Sequence, residues 1–107
     1  MSSLSTHVLD ISLGTPAAGI PVTLTAIEGE RPIPLGTSST DESGRIAALL
    51  PEGRSGEYHL TYHLDGHPRG EGLYPLIEID VVLDPERHHH VVLTLSPYGY
   101  FVACVES

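Results

Sequence analysis

The chain has 107 residues, with five arginines, no lysine and fourteen acidic residues, which gives a formal net charge of −9. This length suits a single domain over residues 1–107 with one modest core. The negative charge repels phosphate backbones and anionic lipids, so we expect no nucleic-acid or membrane partner. An anionic small molecule would bind only where one of the few arginines is placed for it.

The single cysteine, Cys104, excludes an internal disulfide framework and suits a reducing compartment. The first residues lack the basic and apolar regions of a secretion signal, and no apolar run is long enough to span a bilayer. We therefore expect a cytoplasmic protein.

Short apolar runs separated by glycine and proline predict an all-β fold without helices. The two prolines of segment 33–37 predict an edge strand, and residues 65–72, with three glycines and a proline, predict an irregular loop. About eight strands joined by short turns predict a two-sheet antiparallel β-sandwich. In chain order the predicted strands cover residues 5–12, 22–28, 33–37, a short segment after the turn 40–46, 57–64, 73–83, 87–96 and 100–105.

The strand over 87–96 carries three consecutive histidines. Alternation places His88 and His90 on one face, and it places His89 on the apolar face with Val91, Leu93 and Leu95. Two titratable rings side by side on an outward face are typical of an active surface.

Two further residues are candidates for the same surface. His7 shares its strand face with Leu9, and Arg45 begins a strand after a polar turn. Both imidazoles line one outward surface if the strands of His7 and His90 lie in the same sheet, a condition that alternation alone leaves open.

Five segments together resemble the transthyretin-like 5-hydroxyisourate hydrolases. They are Thr-His-Val-Leu-Asp (6–10), Gly-Thr-Pro-Ala (14–17), Thr-Asp-Glu-Ser-Gly-Arg-Ile (40–46), His-His-His-Val (88–91) and Leu-Ser-Pro-Tyr-Gly-Tyr (95–100). The resemblance implies an eight-stranded transthyretin sandwich. It also implies a homotetramer, built as a dimer of dimers with active sites in the channel between the dimers.

The resemblance also implies the chemistry. The family opens the ring of 5-hydroxyisourate in urate degradation, by attack of water on a cyclic amide carbonyl. His7, Arg45 and His90 match the catalytic residues, with His7, Arg45 and His88 expected to bind substrate. An imidazole suits a general base near neutral pH, and a guanidinium suits carbonyl oxygens. No cofactor and no metal is required.

The chain departs from the family at its end. The family ends in Tyr-Arg-Gly-Ser, whereas Ala103 and Cys104 stand here in place of the tyrosine and arginine, and the end is one residue longer. The loop 65–72 is also shorter than the family segment that usually holds a helix. Two alternatives follow: a divergent relative that acts on another cyclic lactam-like substrate, and a non-catalytic small-molecule carrier of transthyretin type.

A metal site is a further hypothesis. His88 and His90 share a face, and His7 completes a three-histidine zinc site if the strands are adjacent. The lack of a nearby cysteine or carboxylate at ligand spacing disfavours it. Cys104 is expected to be a packing residue, since no sequence feature assigns it a base.

Overall fold

The computed structural model describes residues 2–67 and 74–106, with Glu106 described only by its backbone. The described residues form strands and turns, and among them there is no helix that is long and apolar enough to cross a membrane. The prediction of an all-β fold is confirmed. The strands are β1 (Ser2–Asp10), β2 (Thr15–Pro16), β3 (Pro21–Glu28), β4 (Arg31–Ser39), β5 (Arg45–Gly53), β6 (Gly56–His63), β7 (Leu76–Leu83), β8 (His88–Leu95) and β9 (Tyr100–Glu106).

The strands form two sheets. In the first, β1 pairs with β2 and β5 along one edge and with β8 along the other, and β9 follows β8. The second has the order β4-β3-β6-β7, so β4 is an edge strand as its prolines predict. One pair departs from the antiparallel expectation, because β1 and β8 run parallel. Alternation shows which face a side chain occupies but carries no information about strand direction.

The core lies between the sheets, and β3, β6 and β8 supply it with alternate residues. On β8 the buried residues are His89, Val91, Leu93 and Leu95, as the sequence predicts. Burying a valine or leucine side chain contributes ~1.5–3 kcal/mol. A slip of one residue would expose three such side chains and bury His88 and His90 instead, so the register of β8 is strongly specified.

A buried hydrogen-bond chain ties the two sheets together beneath the outer face of the first. The Thr6 hydroxyl donates to the Val91 carbonyl at 2.8 Å, so the Tyr62 hydroxyl from the second sheet donates to Thr6 Oγ1, also at 2.8 Å. Burial raises the pKa of Tyr62 to about 12, which keeps the phenol protonated at neutral pH. Each such bond contributes ~0.5–1.5 kcal/mol. These two hydrogen bonds hold β1 and β8 in place at Thr6 and Val91, the residues next to His7 and His90.

The predicted loop over 65–72 falls mostly outside the described residues, as does Leu73 at the start of the predicted strand 73–83. The described part of that strand, β7, begins at Leu76 and pairs with β6 along its whole length.

Candidate active site

His7, Arg45 and His90 lie on the same outer face of the first sheet. His7 is directly opposite Arg45 in the antiparallel register of β1 and β5, and Ser5 is opposite His90 in the parallel register of β1 and β8. The His7 and His90 ring centroids are 6.4 Å apart. Opposed residues in a sheet hold their Cβ atoms ~4.5–5.5 Å apart, so the Arg45 and His7 side chains leave the backbone next to each other. The strands of His7 and His90 therefore lie in the same sheet, as the sequence analysis required for one shared surface.

The turn before β5 positions both Arg45 and His7. Asp41 Oδ1 accepts hydrogen bonds from the Ser43 backbone N–H at 2.9 Å and from the Arg45 backbone N–H at 3.0 Å. These bonds, with one from the Ser43 hydroxyl, lower the pKa of Asp41. The Ser43 carbonyl then accepts a bond from His7 Nε2–H at 2.9 Å. Neutral His7 therefore keeps its lone pair on Nδ1.

Gly44 lets this turn approach β1 closely. Its φ is +78°, and a Cβ added there would lie 2.4 Å from the Val8 carbonyl oxygen. That carbonyl accepts a bond from Ala17, and the Val8 N–H donates to the Gly44 carbonyl at 2.8 Å. Three of the five segments that resemble the family therefore meet at one point, which explains in part why they occur together. They are residues 6–10, 14–17 and 40–46.

We expect Gly44→Ala to destabilise the protein more than Gly19→Ala. Both glycines have positive φ, where alanine costs ~1–2 kcal/mol, but a Cβ on Gly19 meets nothing within 4 Å. The backbone collision at Gly44 should add ~1–3 kcal/mol. Urea unfolding of the two variants measures the difference. Equal losses would show that backbone strain, and not the close approach to Val8, explains this glycine.

The three consecutive histidines divide into one buried and two outward rings. His89 is 1% exposed, and its Nε2 accepts a hydrogen bond from the Asp84 backbone N–H at 3.1 Å. This bond stabilises the turn between β7 and β8. His88 and His90 are half-buried on the outer face of β8, where β1 presents its serines.

Two serines that the sequence analysis missed bind these rings. Ser5 Oγ lies 2.7 Å from His90 Nδ1 and 2.9 Å from His88 Nε2, and Ser3 Oγ lies 2.7 Å from His88 Nδ1. The available signal was the spacing Ser-x-Ser-x-His, which puts both hydroxyls on the strand face of His7. Both ring nitrogens of His88 are already hydrogen-bonded to serines. The expected binding of substrate by His88 stays a prediction.

The site is cationic although the chain is acidic overall. A shallow depression of about 320 Å³ is lined by Arg45, His88 and His90 together with uncharged neighbours, and no carboxylate borders it among the described residues. Partial burial lowers the pKa of His90, and the neighbouring His7, Arg45 and His88 side chains disfavour a further positive charge there. His90 is therefore a neutral base at pH 7, in surroundings that favour carbonyl oxygens or an oxyanion.

A larger depression of about 560 Å³ lies elsewhere, beside the β5–β6 turn. It carries Arg54 together with Glu28, Glu52 and Glu57, and no described histidine borders it. Its acidic lining suits neither an oxyanion nor general base catalysis near pH 7, so we place the candidate site at the smaller depression. Within residues 2–67 and 74–106, no group of three or more His, Cys, Asp or Glu side chains is arranged to hold a metal ion.

The sequence matches a known protein family over nearly its whole length. Residues 4–102 match the model of the HIUase/Transthyretin family. The chain is 36% identical to 5-hydroxyisourate hydrolase 2 of Rhizobium meliloti over 91% of this chain and 90% of the relative. This chain belongs to the HIUase/Transthyretin family. The resemblance noted in the sequence motifs is confirmed.

Solved structures of the HIUase/Transthyretin fold superpose on this chain. The 5-hydroxyisourate hydrolase of Klebsiella pneumoniae gives a TM-score of 0.80 at 36% identity, covering 96% of this chain and 97% of that one. Sea bream transthyretin in complex with thyroxine gives a TM-score of 0.86 at 24% identity, covering 98% and 96%. The predicted transthyretin-like sandwich is confirmed.

The end of this HIUase/Transthyretin chain lies past the family match, which stops at residue 102. In the β8–β9 register Ala103 faces Val92 and so lies on the site face, whereas Cys104 faces Val91 and lies on the opposite face. Of the two residues that the resemblance aligns with the family's tyrosine and arginine, only Ala103 therefore lies beside the site. Cys104 is exposed, so its expected role as a packing residue is wrong.

Proposed function

We propose that this chain is a 5-hydroxyisourate hydrolase, which opens the substrate ring in urate degradation by attack of water on a cyclic amide carbonyl. One observation carries the proposal: His7, Arg45 and His90 converge on one cationic face. The chain's 36% identity to two proteins that bear this name supports it.

His90 is the proposed general base. Among the described residues its Nδ1 is held by Ser5 at 2.7 Å, which leaves Nε2 to take a proton from water. Its lowered pKa keeps the ring neutral at pH 7, as a base requires. A positioned base contributes ~100- to 10,000-fold to the rate.

Arg45 and His7 are proposed to hold the substrate and its developing charge. The guanidinium offers paired N–H donors that match carbonyl oxygens, and an oxyanion donor contributes ~100- to 1,000-fold. His7, fixed through Nε2–H to Ser43, presents Nδ1 as an acceptor for a substrate N–H or O–H. The reaction as proposed uses only these side chains.

The proposed assembly is a homotetramer that acts in the cytoplasm. Its support is the family resemblance together with exposed apolar side chains, Phe101 at 67% and Val105 at 57%, which the β8–β9 register places on the site face. Light scattering should give the mass of four chains, and a monomer mass at micromolar concentration would contradict this.

The direct test of function mixes purified protein with freshly generated 5-hydroxyisourate and follows the ultraviolet decay of the substrate. We expect decay far faster than in buffer alone. A rate equal to that of buffer would reject the hydrolase.

A pH profile tests the assignment of His90. Because its pKa is lowered from 6.5, the neutral base should dominate at pH 7 and be lost only as pH falls through that lower value. We expect kcat/KM to stay level near neutrality and then fall about tenfold per pH unit below the pKa. Circular dichroism at each pH checks that the fold persists. An acid limb with its midpoint above pH 6.5 would contradict the assignment.

A second candidate is a relative that acts on another cyclic lactam-like substrate. The observation that favours it is Ala103, a small side chain on the site face where the family carries tyrosine. A variant that ends in Tyr-Arg-Gly-Ser should then turn over 5-hydroxyisourate faster than the parent. If the rate does not rise, the altered tail is not the reason for a changed specificity.

A further inference from the structure

Four side chains form a continuous hydrogen-bonded row across β1 and β8. The parallel register sets Ser3 opposite His88 and Ser5 opposite His90. The row runs from Ser3 Oγ to His88 Nδ1 at 2.7 Å, from His88 Nε2 to Ser5 Oγ at 2.9 Å, and from Ser5 Oγ to His90 Nδ1 at 2.7 Å. Ser5, only 6% exposed, is the link between the two rings.

Counting protons leaves two arrangements for neutral rings. A serine hydroxyl donates one proton, and a neutral imidazole carries one. In the first arrangement His90 Nδ1–H donates to Ser5, Ser5 donates to His88 Nε2, and His88 Nδ1–H donates to Ser3. In the second every bond is reversed, and the proton of His90 sits on Nε2. Only the first leaves Nε2 able to act as a base.

We propose that the row rests in the first arrangement, where Ser5 is a positioning residue that accepts the hydrogen bond from His90 Nδ1–H and, through His88 and Ser3, passes on the proton that His90 takes up. This inference rests on the proposed hydrolase function. His88 thereby acts through Ser5 and not by direct contact with substrate.

The proton transfers balance. When water attacks, one O–H bond breaks, its proton binds His90 Nε2 and the hydroxide oxygen bonds to the ring carbonyl carbon. His90 then gives its Nδ1 proton to Ser5 Oγ while Ser5 gives its own to His88 Nε2. His88 passes its Nδ1 proton to Ser3, and Ser3 releases one to solvent.

The transfer leaves His90 ready for the second half of the reaction. The ring is again neutral but now carries its proton on Nε2, the donor needed to protonate the leaving ring nitrogen. Once Nε2 has given up this proton, one proton from solvent enters at Ser3 and each bond of the row reverses, which restores the starting arrangement. Because half-burial beside Arg45 and His7 disfavours a charged His90, passing a proton through His88 and Ser3 to solvent removes an unfavourable charge.

The test compares the wild-type protein with Ser5→Ala, Ser5→Thr and Ser38→Ala. Threonine keeps the hydroxyl, and Ser38 lies on β4 in the other sheet, outside the site. The first readout is the ¹⁵N shift of each His90 ring nitrogen at a pH where the ring is neutral, without substrate. The second is kcat and KM for 5-hydroxyisourate.

We expect neutral His90 to carry its proton on Nδ1 in the wild-type protein and in Ser5→Thr, and to exchange between both tautomers in Ser5→Ala. We expect Ser5→Ala to lower kcat by ~10- to 100-fold with KM little changed, and Ser5→Thr to restore most of the loss. Ser38→Ala should match the wild type in both readouts.

A proton on Nε2 of His90 in the wild-type protein would overturn the inference, and this measurement needs no variant. An unchanged tautomer or an unchanged kcat in Ser5→Ala would overturn it as well. Failure of the wild-type protein to hydrolyse 5-hydroxyisourate would instead reject the proposed function, since the ring-nitrogen shifts are read without substrate.

Discussion

Replacing His90 by glutamine is expected to lower kcat/KM for 5-hydroxyisourate by ~100- to 10,000-fold. The amide keeps a polar group of similar reach on β8, but its nitrogen does not take a proton at neutral pH. Steady-state kinetics with freshly generated substrate measures the loss. The fold should persist, because His90 lies on the half-buried outer face and contributes nothing to the packed core.

The matched control is His63→Gln. His63 lies at the end of β6 in the second sheet, where its Nε2 bonds to Thr23 Oγ1 at 2.9 Å. We expect kcat/KM within about twofold of the wild type, since a surface change far from the site rarely affects the chemistry. Similar losses in both variants would show that the assay reports general damage and would remove the evidence for His90 as the base.

Arg45→Lys should lower kcat/KM by ~100- to 1,000-fold, although the charge is kept. Lysine replaces a planar fork of donors by a compact ammonium and cannot bind two carbonyl oxygens in parallel. The turn should survive, because Asp41 binds the backbone N–H of residue 45 and not its side chain. The same kinetic assay measures the loss.

Arg54→Lys makes the same chemical change at the larger, acidic depression. We expect it to leave kcat/KM unchanged within about twofold. If Arg54→Lys were the damaging variant and Arg45→Lys the silent one, the active site would lie beside the β5–β6 turn and the present assignment would be wrong.

The faces of the central strands were predictable from the sequence. A strand repeats every two residues, so the burial of Val91, Leu93 and Leu95 forces His88 and His90 outward whatever the strand pairs with. The same reasoning placed His7 on the outer face of β1. The edge position of β4 followed from prolines that have no N–H to donate.

The pairing of strands was not predictable from alternation. β1 and β8 are separated by most of the chain, and nothing in either segment encodes a parallel pairing. For that reason the serine partners of the two rings were missed: Ser3 and Ser5 become part of the site only once the register is known. The spacing of two residues between the serines matches the spacing of the rings.

The altered tail shows a similar limit. Likeness to the family predicts that Ala103 and Cys104 together replace a tyrosine and an arginine, but successive strand residues point to opposite faces. The β8–β9 register decides that Ala103 faces the site and Cys104 does not. A motif match fixes positions along the chain, and only pairing fixes which of them reach the substrate.

The most direct test of the account is a crystal structure of the protein with a stable urate analogue bound. We expect the analogue on the outer face of the first sheet, with its carbonyl oxygens accepting hydrogen bonds from the Arg45 guanidinium and its ring within reach of His90 Nε2 and His7 Nδ1. An analogue seated only in the depression beside Arg54, or one that contacts neither His7 nor His90, would contradict the account.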